Sequence, residues 1–200
     1  LLFNNCGSSA LTSEVNFCYT TEVGSIFFRE CTSYTLTDDG GSLIFTDGGG
    51  IFNQSSVGQT LQAPIAGRCC TMLIDAGDIA GGSFTFSGGA DIDLSDSGGV
   101  ALTVQGDNNT TINTAITGAG GSLTKNMCGT VTLGGGSANT FTGTTTVNGG
   151  TLRLNKTSGT NELAGTVTIA TGGTMELARS NAMRHTVDMT LAGGTVSNAS

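Results

Sequence analysis

A six-residue cassette, Gly-Gly-Ser/Thr followed by an apolar, a variable and an apolar residue, recurs along this chain of 200 residues. It reads Gly40-Gly41-Ser42-Leu43-Ile44-Phe45, Gly81-Gly82-Ser83-Phe84-Thr85-Phe86, Gly149-Gly150-Thr151-Leu152-Arg153-Leu154 and Gly172-Gly173-Thr174-Met175-Glu176-Leu177. Degenerate copies begin at Gly120-Gly121-Ser122 and Gly193-Gly194-Thr195, and weaker ones at Gly58 and Gly98-Gly99. The starting points lie 17 to 29 residues apart and average about 22. A unit of that length cannot bury its own apolar face, so copies must stack on one another. A β-sandwich, the rival architecture, places its turns every ~8–12 residues.

Between the glycine pairs the apolar residues alternate, as in Thr130-Val131-Thr132-Leu133 and Thr166-Val167-Thr168-Ile169. Alternation puts Val131 and Leu133 on one face of a strand and Thr130 and Thr132 on the other. Gly and Thr each number 33, and both are poor helix formers, which excludes a helical bundle. Two or three short strands per coil, with one set of side chains turned inward, predict an all-β fold, a parallel β-helix with about 22 residues per turn. The glycine pairs are expected at corners, where positive φ or close backbone approach leaves no room for a Cβ. Residues 40–200 are assigned to the β-helix. The less regular residues 1–39, with Cys6, Cys18, Cys31, Phe27 and Phe28, are assigned to a β-rich cap or the edge of a neighbouring module.

The net charge is −8, and it is uneven: residues 1–100 hold eleven acids against Arg29 and Arg68, residues 101–200 four acids against five bases. Phosphate binding needs clustered Lys and Arg, so a nucleic-acid partner is not expected. Six cysteines (Cys6, Cys18, Cys31, Cys69, Cys70, Cys128) show no CxxC pair and no nearby His, which argues against a zinc site. Disulfides and free thiols remain equal alternatives. Adjacent Cys69 and Cys70 are expected on opposite faces of a strand and so not bonded to each other. The chain opens on Leu1 without a basic-then-apolar leader, as a mature protein or an excised piece of a longer one would. No apolar run is long enough for a membrane-spanning helix.

Residues 116–154 carry a longer pattern. They read Ile116-Thr117-Gly118-Ala119-Gly120-Gly121-Ser122-Leu123-Thr124-Lys125, then Gly129-Thr130-Val131-Thr132-Leu133, then Asn139-Thr140-Phe141-Thr142-Gly143 and onward to Val147 and Leu152. This order resembles the autotransporter-associated β-strand repeat, also called the passenger-associated transport repeat, and residues 161–200 resemble the segment that commonly follows it. The resemblance implies a right-handed β-helical stalk in a secreted or surface-displayed bacterial passenger, with residues 116–200 as the autotransporter-type part. In that family the repeat assists export and builds the rod. Two departures stand out. Met127 occupies a position where the family usually has Gly, and six cysteines are unusual because early disulfides obstruct export.

The best catalytic-looking cluster is Asp91-Ile92-Asp93-Leu94-Ser95-Asp96. On a strand Asp91 and Asp93 share a face about 6.5–7 Å apart, a spacing that paired-carboxylate glycoside chemistry can use. Against it stand the scarcity of sugar-stacking aromatics, 6% with no Trp, and a single nearby base, Arg68. Solubilising carboxylates explain the cluster as well. His185, the one histidine, lies far from any Ser–Asp or Cys partner in sequence. Thr-x-Thr pairs (Thr130/Thr132, Thr142/Thr144, Thr166/Thr168) could form outward ladders of the kind that bind ice, but the drifting cassette spacing argues against a flat face. The expected function is therefore structural or adhesive rather than enzymatic, without cofactor or metal. The expected place is the bacterial cell surface or the outside medium, and the expected partner is a surface ligand or neighbouring copies joined end to end. The alternatives are a β-helical polysaccharide-degrading enzyme carried by Asp91, Asp93 and Asp96, a glycan- or ice-binding module, and a viral fibre.

Overall fold

A computed structural model describes residues 2–3, 13–17, 19–29, 31–89, 91–157, 163–179, 183 and 187–199. The described chain is a parallel β-solenoid with about 22 residues per turn. Among the described residues the one helical element is a 3₁₀ turn, Asp96–Gly98.

The coils build two long stacks, and four of them add a strand to a shorter third one. The first stack runs Ser13–Phe17, Tyr34–Asp38, Gln59–Leu61, Phe84–Phe86, Thr110–Ile112, Thr130–Leu133, Gly150–Leu154, Gly173–Leu177 and Thr195–Asn198, all parallel. The second runs from Thr21–Phe28 through the later part of Leu43–Asn53 to Thr71–Asp75, Ala101–Gln105, Ser122–Lys125, Thr145–Val147, Val167–Ala170 and Met189–Ala192. The third consists of Leu43–Phe45, Ile65–Gly67, Ile92–Asp93 and Ile116–Thr117.

Register along the axis makes the core. In the first stack Leu36, Leu61, Phe86, Ile112, Leu133 and Leu154 are in line and fully buried. In the second, Ile26, Ile51, Ile74, Val104, Lys125, Val147 and Ile169 are in line, and all seven are buried. Inward Val131 and Leu133 alternate with outward Thr130 and Thr132, as the period-two pattern requires. Each buried aliphatic side chain contributes roughly 1.5–3 kcal/mol over its exposed state, which identical stacked positions multiply along the rod.

The irregular cassette spacing has a geometric cause. Gly58, Gly81, Gly149, Gly172 and Gly193 open strands of the first stack, Gly98 and Gly120 open strands of the second, and Gly40 opens the third. Steps between like corners are one coil of 21 to 23 residues, whereas a step from one kind of corner to another is shorter or longer than a coil. The cassettes therefore mark two or more corners rather than one corner of successive coils. Gly40, Gly81, Gly120, Gly150, Gly172 and Gly193 have φ between +62° and +98°. No positive φ belongs to Gly41, Gly82, Gly121, Gly149, Gly173 or Gly194, yet a Cβ on Gly173 would lie 2.3 Å from the Val147 carbonyl oxygen.

Candidate functional site

Outward residues of the second stack form rows along the axis because inward and outward positions alternate on every strand. One row is Thr103, Thr124, Thr146, Thr168 and Thr190, one residue per coil at intervals of 21 or 22. From Thr103 to Thr190 this face keeps a steady period, whereas the coil before it, which pairs Leu73 with Thr103, is longer. Beside it, Thr144 and Thr166 hydroxyls lie 3.1 Å apart across neighbouring coils.

The adjoining row changes character along the rod. It begins with Phe27 and Phe52, whose rings stack at 4.7 Å with 12° between planes. It continues in register to Asp75 and then Gln105. Further on, the Asn148 side-chain amide donates to Asn126 Oδ1 at 2.9 Å. Where the row meets the corner loops a cleft of about 240 Å³ opens, lined by Phe52, Gln54, Asp75, Gly77, Asp78, Gln105 and Met127. Hydrogen bonds fix the polar lining. Gln105 Nε2 donates to Asp75 Oδ2 at 2.9 Å, and the Gly77 N–H donates to Asp75 Oδ1 at 2.9 Å. Arg29 Nε donates to Gln54 Oε1 at 3.0 Å, with the guanidinium 5.2 Å from the centre of the Phe27 ring. Met127 forms one wall from a left-handed backbone, φ +62°, and is 45% exposed.

The aspartate cluster sits elsewhere, on the third stack and the corner that follows. Ile92 and Leu94 point inward, so Asp91 and Asp93 share the outer face. Each carboxylate accepts a backbone N–H: Asp91 from Ala115 at 3.1 Å, Asp93 from Ser95 at 2.9 Å, and Asp96 from Cys69 at 2.9 Å. The Cys69 N–H, with the Ser97 hydroxyl and the Arg68 charge, holds the Asp96 carboxyl below its ordinary 3.8 against a partial loss of solvent. Arg68 itself pairs with Glu22. The cluster thus caps turns, and among the described residues neither carboxylate of the Asp91/Asp93 pair forms an ion pair with a base. Among the described residues no three His, Cys, Asp or Glu side chains gather closely enough to hold a metal ion.

Cys69 and Cys70 do not lie on a strand. They form the corner before Thr71–Asp75 with φ of +55° and +61°, and their carbonyls accept from Thr71 and Ala101. Their thiols and that of Cys128 are free and exposed, and Cys31 is exposed as well. Cys6, Cys18 and His185 lie outside the described residues.

No family model, curated protein or solved structure matches the chain. Among the described residues no helix is long and apolar enough to cross a membrane.

Two features escaped the sequence. Lys125 and Lys156 are both 1% exposed. Lys125 Nζ donates to the carbonyls of Asn126 at 2.6 Å, Met127 at 2.9 Å and Gly149 at 3.2 Å. Burial lowers its pKa to about 8, with the Cys128 thiol and the Asp107 carboxylate acting in the opposite sense. Their signal was present in the strand alternation, which puts Lys125 on the same face as Leu123. The second is a buried amide network in which Asn53 donates to the Val57 and Ser83 carbonyls and Gln59 reaches the Thr32 carbonyl. The side chains of Lys125, Lys156, Asn53 and Gln59 are themselves buried, so both networks serve the wall rather than a ligand.

Proposed function

We propose that the chain is a structural and adhesive segment, a β-solenoid rod carried by a secreted or surface-displayed bacterial protein of the autotransporter-passenger kind. One observation carries it. The positions that the repeat pattern singles out as apolar, Leu123, Val131, Leu133, Phe141, Val147 and Leu152, are all 2% exposed or less. The pattern is therefore spent on stacking, and the carboxylates that could have served chemistry bond backbone N–H groups, Asp91 and Asp96 on neighbouring loops and Asp93 in its own turn. A rod of this kind holds outward rows at a fixed spacing over many coils, which suits repeated weak contacts with a surface.

Antibodies against the purified chain test the location. Labelling of intact source cells or of their medium is expected, and labelling only after permeabilisation would overturn it. Incubation with a panel of polysaccharides tests the absence of catalysis: release of reducing ends that disappears in Asp93→Asn would replace the adhesive role with an enzymatic one.

The outward threonine row favours one second reading, a module that binds ice. Thermal hysteresis in the purified chain, lost in Thr146→Tyr, would establish it. Freezing-point behaviour like that of an inert protein would dismiss it.

A further inference from the structure

We propose that the cleft between Phe52 and Met127 is a binding subsite for a neutral saccharide. The inference rests on the adhesive role proposed above and names the ligand class of that role.

The lining chemistry selects among ligands. Gln54 Oε1 is committed to Arg29, which leaves the Gln54 amide N–H groups as donors toward the cleft. Gln105 Nε2 is committed to Asp75, which leaves Gln105 Oε1 as an acceptor. Asp78 adds an exposed carboxylate on the rim. Donors and acceptors thus stand side by side. A metal cation would use acceptors alone, and a phosphate donors alone. Hydroxyl groups use both, and several hydroxyls on a compact ring match several such groups at once.

The apolar part of the lining completes the match. Phe27 and Asp75 are the axial neighbours of Phe52 in the row, so Phe52 stacks on an aromatic on one side and borders the polar part of the cleft on the other. A pyranose ring presents one face of C–H groups, which packs on an aromatic ring while its hydroxyls point outward to polar partners. Met127 adds a polarizable thioether to the same lining. Its position is the independent sign. A left-handed φ disfavours any side chain, yet this chain carries a long apolar side chain there, 45% exposed. Strain and exposure both oppose Met127 in the isolated rod, and both are offset if the thioether covers a ligand. The size agrees too: about 240 Å³ is below the ~300 Å³ at which pockets for larger organic ligands begin, and suits one sugar ring at a time.

The test uses the purified chain with three neutral tetrasaccharides, of glucose, galactose and N-acetylglucosamine, followed by saturation-transfer NMR and calorimetry. Binding of at least one of them, with saturation on pyranose C–H protons, is expected. Met127→Gly and Asp78→Asn are each expected to weaken that binding about fivefold or more. Neither variant should lower the melting temperature, since Gly suits the backbone at 127 and Asp78 is exposed. No binding of any tetrasaccharide at about 10 mM would overturn the subsite. So would binding that both variants leave unchanged, which would place the sugar elsewhere on the rod. Binding of calcium ions or trilysine in the cleft without saccharide binding would overturn it in favour of a cationic ligand. Cell-surface labelling is read separately, so a failed subsite and a failed location are told apart.

Discussion

The Lys156 ammonium donates to the carbonyl oxygens of Gly134 and Thr114, both at 2.9 Å, and so ties three successive coils together inside the wall. The two acceptors lie 22 and 42 residues earlier in the chain. Removing the donor leaves two buried carbonyls short of a partner. Lys156→Met is therefore expected to cost about 2–4 kcal/mol, read as a fall in the urea midpoint at unchanged slope. A loss below about 0.5 kcal/mol would mean that desolvating the ammonium cancels what its bonds return.

Lys125 gives the stability curve a sign in alkaline solution. Its pKa of about 8 in the fold lies below the ordinary 10.5, so between these values the unfolded chain binds more protons than the folded one. Stability contributed by this group therefore rises as pH climbs from about 8 to 10.5, and below pH 8 the penalty of the buried charge is fully present. The difference in urea midpoint between the parent and Lys125→Met should change across this window and stay flat below it.

Neighbouring residues on one strand separate inside from outside. Leu152 is fully buried between Val131 and Met175, whereas Arg153 reaches Glu176 at 3.2 Å on the outer face. Leu152→Asp is expected to cost about 4 kcal/mol or more and Arg153→Asp about 1 kcal/mol. Equal thermal shifts for the two would contradict the assignment of faces.

Corner backbones give a matched pair of opposite effects. A Cβ on Gly150, at φ +62°, would meet the Gly129 and Met127 carbonyl oxygens at 2.5 Å, so Gly150→Ala should lower stability by about 2 kcal/mol or more. Cys69→Gly and Cys70→Gly relieve the same left-handed conformation and should each raise stability by about 1 kcal/mol. Differential scanning calorimetry reads both directions.

Thiol accessibility is directly countable. Cys69, Cys70 and Cys128 should react with a thiol reagent in the folded protein without denaturant. Protection of Cys69 and Cys70 that dithiothreitol removes would show that they are oxidised.

The architecture followed from residues such as Val131 and Leu133, because a period of two and a period near 22 have few common solutions. Which corner each cassette occupies did not follow. Gly81-Gly82 and Gly98-Gly99 open strands of different stacks, and nothing local separates a first-stack corner from a second-stack one. The aspartate cluster was visible as a motif, but its bonds to Ala115 and Cys69 depend on loops 24 and 27 residues away. The cleft was invisible for the same reason. Phe52, Asp75, Gln105 and Met127 are adjacent only once coils are laid in register. Cys69-Cys70 was misplaced because two consecutive left-handed residues without Gly are rare enough that no local signal announces them.

A stack of interchangeable aliphatic rungs has a weakness of its own, since any coil fits on any other and a chain could skip one while threading. Gln59, Thr110, Lys125 and Thr145 interrupt those columns at single heights. Where Gln59 and Lys125 sit, their polar atoms meet partners on specific neighbouring loops, and a slipped arrangement would strand them in hydrocarbon. They act as notches on a ruler, so that a solenoid built from near-identical layers still assembles with every layer in its own place.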